Sequence, residues 1–133
     1  MTASDSTVVG VTTLRSDRLP NECWVEVATA DGRIGLGETY GNAATIDAYI
    51  HEVVAPYLLG QDADPVERHW WRMYRNWGPG GIGVESRALS AVDMALWDLL
   101  GLRTGLPLHA LLGGAVRPRI RAYNTCGGPE YGG

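Results

Sequence analysis

Two aspartates on one predicted helix are the first candidates for chemistry in this sequence. Asp93 and Asp98 lie in the segment SAVDMALWDLLGLRTGLPLHALLGG, residues 90–114. A pair of carboxylates can hold a divalent cation or exchange a proton with a substrate. Because an α-helix turns about 100° per residue, positions five apart point roughly 140° apart. We therefore expect each carboxylate to accept hydrogen bonds from backbone groups or arginine, with a direct catalytic role as the alternative.

Other residue types that often carry chemistry are isolated in this sequence. No ligand partners lie near the three histidines, and the tryptophans cluster near the end of a predicted helix, where such rings usually pack. These residues are His51, His69, His109, Trp70, Trp71 and Trp77. The glycine-rich segment GPGGIG, residues 78–83, lacks the lysine and the preceding strand of a phosphate-binding loop. We expect packing or surface positions for all of them.

The first predicted secondary-structure elements of the chain are strands. Three segments are rich in β-branched residues or alternate apolar and polar residues, as strands do. They are TVVGVTTL (7–14), CWVEVATA (23–30) and RIGLGETYG (33–41). Asp31 and Gly32 favour a tight type I′ turn between the last two. The sequence predicts an antiparallel meander of three strands.

Helices follow the strands. Apolar residues recur at helical spacing in AATIDAYIHEVVAPYLLG (43–60), in DPVERHWWRMYRNW (64–77), in a long segment ending near Arg103, and in PLHALL (107–112). Pro56 predicts a kink or an end in the first helix. Asp64 and Pro65 predict the start of the second, and Gly105 the end of the third. The third helix carries an apolar stripe typical of a buried face: Leu89, Val92, Leu96 and Leu99.

Composition limits the class of protein. The chain has 133 residues, 45% of them hydrophobic, which suits one domain with one core. A formal charge of −4 gives no reason to expect a nucleic acid or an anionic membrane as partner. The first ten residues lack a basic and an apolar region, so we expect no signal peptide, and the sequence contains no stretch of 18 apolar residues. Cys23 and Cys126 are far apart, which favours two reduced thiols in a cytoplasmic protein over a zinc site or a disulfide.

Segment 90–114 also resembles the N-terminal signature of the mandelate racemase/muconate-lactonizing branch of the enolase superfamily. In that signature an A-x-D-x-A-L-W-D segment precedes G-x-P and L-L-G-G. DGRIGLGET (31–39) resembles the family's hairpin and third strand, and RIRAYNTCGG (119–128) its first barrel strand. The sequence departs from the pattern at Leu102, where many members carry lysine. We expect that change to affect a surface contact and not the fold.

The resemblance implies an α+β capping domain over residues 1–116, followed at 117–133 by the start of a TIM-like barrel. In the family, three carboxylates at the ends of the barrel strands bind Mg²⁺, and other barrel groups move a proton α to a carboxylate. A TIM barrel needs about 200 residues or more. We therefore expect that the chain is truncated before its barrel. Such a chain has no catalytic or metal-binding residue and is inactive by itself.

Two loops of the capping domain close over the substrate in this family, and they correspond here to about 16–21 and 39–43. The resemblance to the mannonate-dehydratase branch makes Asn42 a substrate-binding candidate, with Tyr40 beside it. Thr125, on the expected barrel strand, is a third candidate. The competing interpretation is that ETYGN (38–42) is only a turn, in which asparagine and glycine are ordinary choices.

The resemblance implies a Mg²⁺-dependent parent enzyme that acts on a small-molecule carboxylate or acid sugar and forms a homo-oligomer. We favour an acid-sugar dehydratase, because the polar ETYGN loop suits a hydroxylated substrate. A racemase, epimerase or cycloisomerase of the same family is the first alternative. A stand-alone binding or oligomerisation domain without turnover is the second.

Overall fold

The sheet is a three-stranded antiparallel meander. A computed structural model describes residues 5–76 and 83–123 of the chain. The strands are β1 (Val8–Ser16), β2 (Leu19–Thr29) and β3 (Ile34–Tyr40), in the spatial order β1-β2-β3. The predicted topology is confirmed. Alternate residues of β2 face the core, as period-two alternation requires: Cys23, Val25 and Val27 are completely buried.

The turn between β2 and β3 differs from the predicted type I′ turn. That turn needs positive φ at both central residues, but of the described residues only glycines have positive φ. Gly32, with φ of +84°, is instead the last residue of a turn that begins at Thr29. Its N–H donates to the Thr29 carbonyl at 2.9 Å and closes that turn. The Asp31 carboxylate accepts hydrogen bonds from the Thr29 hydroxyl and the Arg33 N–H, and its side chain thereby stabilises a longer turn.

The first helical region is continuous but irregular. It consists of α1 (Ala43–Tyr49), a π-helical segment (Ile50–Val54) and α2 (Ala55–Leu58). Pro56 has no N–H and its ring crowds the carbonyl four residues earlier. The wider π-helical turn directly before it accommodates that defect. The helix therefore passes Pro56 and ends at Leu58, two residues before Gly60, whose φ is +79°.

Three further helices follow, and their ends match the sequence signals closely. They are α3 (Val66–Asn76), α4 (Val84–Thr104) and α5 (Leu108–Leu111). Pro65 directly precedes α3 and its carbonyl accepts from the His69 N–H, so this helix starts one residue later than predicted. Gly105 ends α4 in the left-handed conformation, as expected. None of the helices in the described ranges is long and apolar enough to cross a membrane.

Helix α4 covers the inner face of the sheet. Its predicted apolar stripe is buried, together with the alanines beside it: Ala88, Leu89, Ala91, Val92, Ala95, Leu96 and Leu99. Gly35 and Gly37 of β3 allow the close approach. A Cβ atom at Gly37 would lie only 1.9 Å from the Ala91 carbonyl oxygen, and one at Gly35 only 2.1 Å from that of Ala95.

The segment after α5 contains no regular structure as far as it is described. Residues 115–123 form neither helix nor strand and are exposed. The sequence favours a strand from about Arg117, but a strand needs a hydrogen-bonding partner. No partner strand faces this segment within the described ranges.

Candidate functional site

The two loops singled out by the sequence meet at one end of the sheet. A tight turn at residues 17–18 joins β1 to β2, and Ser16 pairs with Leu19. The first loop is therefore shorter than predicted, because β2 already begins at Leu19. The Gly41 N–H, between β3 and α1, donates to the Asn21 carbonyl at 2.7 Å. This bond ties the loop after β3 to the first residues of β2.

Asn42 occupies the N-cap position of α1. Its backbone carbonyl accepts from the N–H groups of Thr45 and Ile46, both at 3.0 Å. An asparagine at this position usually caps the helix with its side chain as well. Here the Asn42 carboxamide makes no capping bond and is exposed. Its donor and acceptor atoms are therefore available to a ligand.

Tyr40, the last residue of β3, has an exposed side chain, with 60% of its surface accessible. It pairs with Glu22 of β2 and precedes Asn42 by two residues in the sequence. The structure thus brings two of the three candidate residues together in one short loop. The third candidate, Thr125, lies outside the described residues.

Arg87, in the first turn of α4, is a functional candidate that sequence reasoning missed. Its guanidinium donates a hydrogen bond to the Tyr40 carbonyl, and its side chain lies against Gly41. The two partners are 47 residues apart along the chain, and no local pattern links them. The arginine adds a positive charge beside Tyr40 and Asn42.

A polar cluster joins β1 to the helix that follows the loop. The Thr13 hydroxyl donates to Asp47 Oδ1 at 2.5 Å and lies 2.8 Å from His51 Nε2. Arg15 Nε pairs with Asp47 Oδ2 at 3.3 Å. All four side chains are at least partly exposed. The cluster fixes the β1–β2 hairpin relative to α1 and so helps to set the distance between the two loops.

The two aspartates of α4 have different environments. Asp98 is exposed, and its Oδ2 accepts from the Leu36 N–H at 2.9 Å. That N–H points away from β2 on the free edge of β3, so the carboxylate satisfies an edge donor. The predicted structural role is confirmed at this position.

Asp93 does not follow the same expectation. Within residues 5–76 and 83–123 it has no hydrogen-bond or ion-pair partner. Its burial and, to a lesser extent, the negative charge of Glu67 raise its pKa from 3.8 to about 6. The sequence pattern placed Asp93 beside the buried stripe, but it did not reveal that no donor within the described ranges faces the carboxylate.

The histidines have the packing and surface positions expected for them. His69 is completely buried, with Nε2 2.7 Å from the Asp62 carbonyl and Nδ1 2.8 Å from the Tyr57 hydroxyl. A carbonyl only accepts, so Nε2 carries the proton and Nδ1 accepts from Tyr57. Burial, the largest cause, lowers the pKa of His69, which keeps it neutral. His109 is exposed.

The polar groups described at this end of the sheet differ from those of a metal centre. No three His, Cys, Asp or Glu side chains converge as metal ligands would in the part of the chain that the structure describes. Mg²⁺ therefore fits no group of these residues. The loop after β3 presents one carboxamide and one phenol, and α4 places one guanidinium beside it. These groups suit hydroxyl and carboxylate groups of a ligand.

Comparisons of the sequence and of the fold with known proteins identify the family. The sequence profile of the mandelate racemase / muconate lactonizing enzyme N-terminal domain covers residues 4–113. The meander sheet with its covering helices defines an α+β domain of the enolase type. The chain belongs to the mandelate racemase / muconate lactonizing enzyme family.

Individual relatives extend well beyond this chain. The D-galactonate dehydratase of Verminephrobacter eiseniae is 40% identical over 121 residues, which cover 89% of this chain and 31% of that protein. An enolase of the mandelate racemase subgroup from Agrobacterium tumefaciens superposes with a TM-score of 0.82 at 38% identity, over 88% of this chain and 32% of its own. The 3,6-anhydro-D-galactonate cycloisomerase from Zobellia galactanivorans superposes with a TM-score of 0.77 at 37% identity, over 85% and 33%.

Proposed function

We propose that this chain is the N-terminal substrate-capping part of a Mg²⁺-dependent acid-sugar dehydratase. The observation that carries the proposal is the loop after β3, whose Asn42 carboxamide makes no capping bond and is exposed. The name of the Verminephrobacter eiseniae relative, a D-galactonate dehydratase, supports the substrate class. Residues 1–116 would form the cap and residues 117–133 the start of a barrel domain.

In this proposal the cap recognises substrate and does not react with it. Asn42 and Tyr40 would contact hydroxyl groups of the acid sugar, and Thr125 would approach it from the first barrel strand. Closing the loops would exclude water and hold the substrate in one orientation. Mg²⁺ held by residues of the barrel would supply positive charge to offset the charge that develops when a proton α to the carboxylate is removed.

Two further features belong to the proposal. We place the Mg²⁺ ligands and the catalytic bases in the barrel segment that the relatives contain beyond the matched region. We also place the protein in the cytoplasm as a homo-oligomer. Cys23, a buried free thiol, agrees with a reducing compartment.

The test is to express the complete reading frame that contains this sequence and to assay aldonates of different configuration with Mg²⁺. Dehydration yields a 2-keto-3-deoxy acid, which semicarbazide detects. We expect Mg²⁺-dependent formation of this product from at least one aldonate. A protein that binds an aldonate without forming any product would support a binding module and contradict the proposal.

A cycloisomerase is the second candidate, favoured by the superposition with the Zobellia galactanivorans enzyme. Incubation in deuterated water separates the candidates. A racemase or epimerase incorporates deuterium at the carbon α to the carboxylate without loss of water. A cycloisomerase gives a product of the same composition as its substrate, even where ring opening produces a keto acid. Only a dehydratase gives a product that is lighter than its substrate by one water, which mass spectrometry detects.

A further inference from the structure

We infer that Arg87 is a positioning residue that fixes the Tyr40–Asn42 loop in the conformation that receives the substrate. The inference deepens the proposed function and rests on it, because that loop is the proposed recognition element. Arg87 itself does not need to touch the substrate for this role.

Arg87 contacts two consecutive residues of the loop, Tyr40 and Gly41. Its guanidinium donates to the carbonyl of Tyr40. Its side chain also covers Gly41: a Cβ atom on that glycine would lie 3.1 Å from Cδ and Nε of Arg87 and 3.3 Å from Cζ. Gly41 has a φ of +142°, which residues with a side chain rarely adopt. Arginine and glycine therefore fill complementary space.

Among the described residues, two side chains of α4 form hydrogen bonds with the outer edge of β3, and Arg87 is one of them. Asp98 near the end of the helix accepts from the Leu36 N–H, and Arg87 near its start donates to the Tyr40 carbonyl. Residues 36 and 40 lie an even number of positions apart, so their backbone groups point to the same side of the strand. α4 thus supplies one acceptor and one donor to the edge of β3 that has no neighbouring strand within the described ranges.

The remaining contacts of the loop do not replace this one. The Gly41 N–H donates to the Asn21 carbonyl at the end of the sheet. The Gly41 carbonyl accepts from the Ala43 N–H within the loop itself. Among the described residues only Arg87 links the Tyr40 carbonyl to the helix layer. Without it the loop would sample more conformations, and ordering it would oppose substrate binding.

The experiment uses the complete protein with three variants. Arg87→Ala removes the contact, Arg87→Lys keeps the charge and one donor, and Arg72→Ala is the matched control. Arg72 is an exposed arginine of α3 without an ion pair in the described ranges. The readouts are KM and kcat for the aldonate, and amide hydrogen exchange in the peptide that contains Gly41 to Ala43.

We expect Arg87→Ala to raise KM about tenfold with a change in kcat of less than about twofold, as for a lost charge-assisted hydrogen bond that acts on binding. Exchange of the loop amides should become about tenfold faster. Arg87→Lys should lie between Arg87→Ala and the wild type, because an ammonium group can reach Tyr40 but covers Gly41 less completely. Arg72→Ala should leave both readouts unchanged.

Coupling to Gly41 gives an independent check. Gly41→Ala should raise KM by itself, and part of that effect should disappear in the Arg87→Ala background, because the clash with the guanidinium is gone. Full additivity of the two substitutions would contradict the inference.

Failure of this inference is distinguishable from failure of the proposed function. Unchanged loop exchange in Arg87→Ala overturns it, whatever the protein catalyses. Faster exchange with an unchanged KM overturns it as well. If the wild-type protein converts no aldonate, the proposed function fails and with it the substrate role of Arg87, even where loop exchange responds.

Discussion

At the scale of residues, Asp93 and Asp98 show how equal sequence signals lead to different chemistry. Both flank the same buried stripe of α4. Asp98 finds a backbone donor on the edge of β3, whereas Asp93 is half-buried beside Glu67. The difference arises from what packs opposite each position, and the helical periodicity contains no information about that.

The raised pKa of Asp93 predicts a pH-dependent stability. The folded pKa of about 6 lies above the ordinary value of 3.8. Between these values the folded state keeps a proton that the unfolded state has released, so the free energy of unfolding falls as pH rises through this window. Asp93→Asn should therefore be more stable than wild type at pH 7, with a difference that shrinks as pH falls towards about 4. Urea unfolding at a series of pH values measures this.

Glu67→Gln is the control for the cause of that shift. It removes the neighbouring charge but leaves the burial, so it should lower the pKa of Asp93 and narrow the pH window without closing it. If Asp93→Asn is less stable than wild type at pH 7, the carboxylate has a favourable partner and this interpretation is wrong.

Asn42 makes the residue-scale prediction for the proposed site. In the complete protein, Asn42→Ala should raise KM or lower kcat/KM for the aldonate up to about tenfold, because one hydrogen bond to a substrate hydroxyl is lost. Mg²⁺ affinity measured by calorimetry should not change. Unchanged kinetics across a panel of acid sugars would remove Asn42 from the site.

At the scale of elements, the contact between β3 and α4 depends on small residues on both sides. Gly37 faces Ala91 and Gly35 faces Ala95, so the helix backbone approaches the strand more closely than larger side chains would permit. This contact positions Asp98 and Arg87 along the edge of β3. The geometry of the proposed recognition loop therefore depends on it.

Gly37→Ala should accordingly destabilise the domain by roughly 3 kcal/mol, since the new methyl group meets helix backbone that cannot move aside. Gly10→Ala in β1 is the matched control, because its Cβ atom would lie at an ordinary 3.6 Å from that of Ala28. That control should change stability by less than about 1 kcal/mol. Chemical unfolding of the two variants compares them directly, and equal stabilities would contradict the close helix–strand contact.

Periodicity and end signals predicted most of the elements, because the strand and helix patterns are local. The meander, the buried stripe of α4 and its end at Gly105 followed from neighbouring residues. The turn at Asp31 did not, because a side-chain acceptor offset the local preference. At Pro56 the sequence left a kink or an end open, and a π-helical turn lets the helix continue. Arg87 was missed because its partner Tyr40 is distant in sequence.

At the scale of the whole molecule, a group of exposed apolar side chains lies around the end of α4 and α5. A groove of about 730 Å³ lies between β3, α4 and α5, and it includes the exposed Leu36, Met94 and Leu108. Leu102, where the sequence departs from the family pattern, also lines it and is half exposed. Exposed apolar surface of this extent is typical of a contact with further protein. It agrees with the proposal of a cap that works as part of a longer chain.

In the proposed function, this chain supplies recognition and the chemistry resides in a barrel. The most direct test compares the purified 133-residue chain with the complete protein, each incubated with the aldonate and Mg²⁺ and assayed for keto-acid formation. The proposal predicts product from the complete protein and none from the isolated chain, which should also show no tight Mg²⁺ binding by calorimetry. Mg²⁺-dependent product formation by the isolated chain, free of host enzymes, would contradict it.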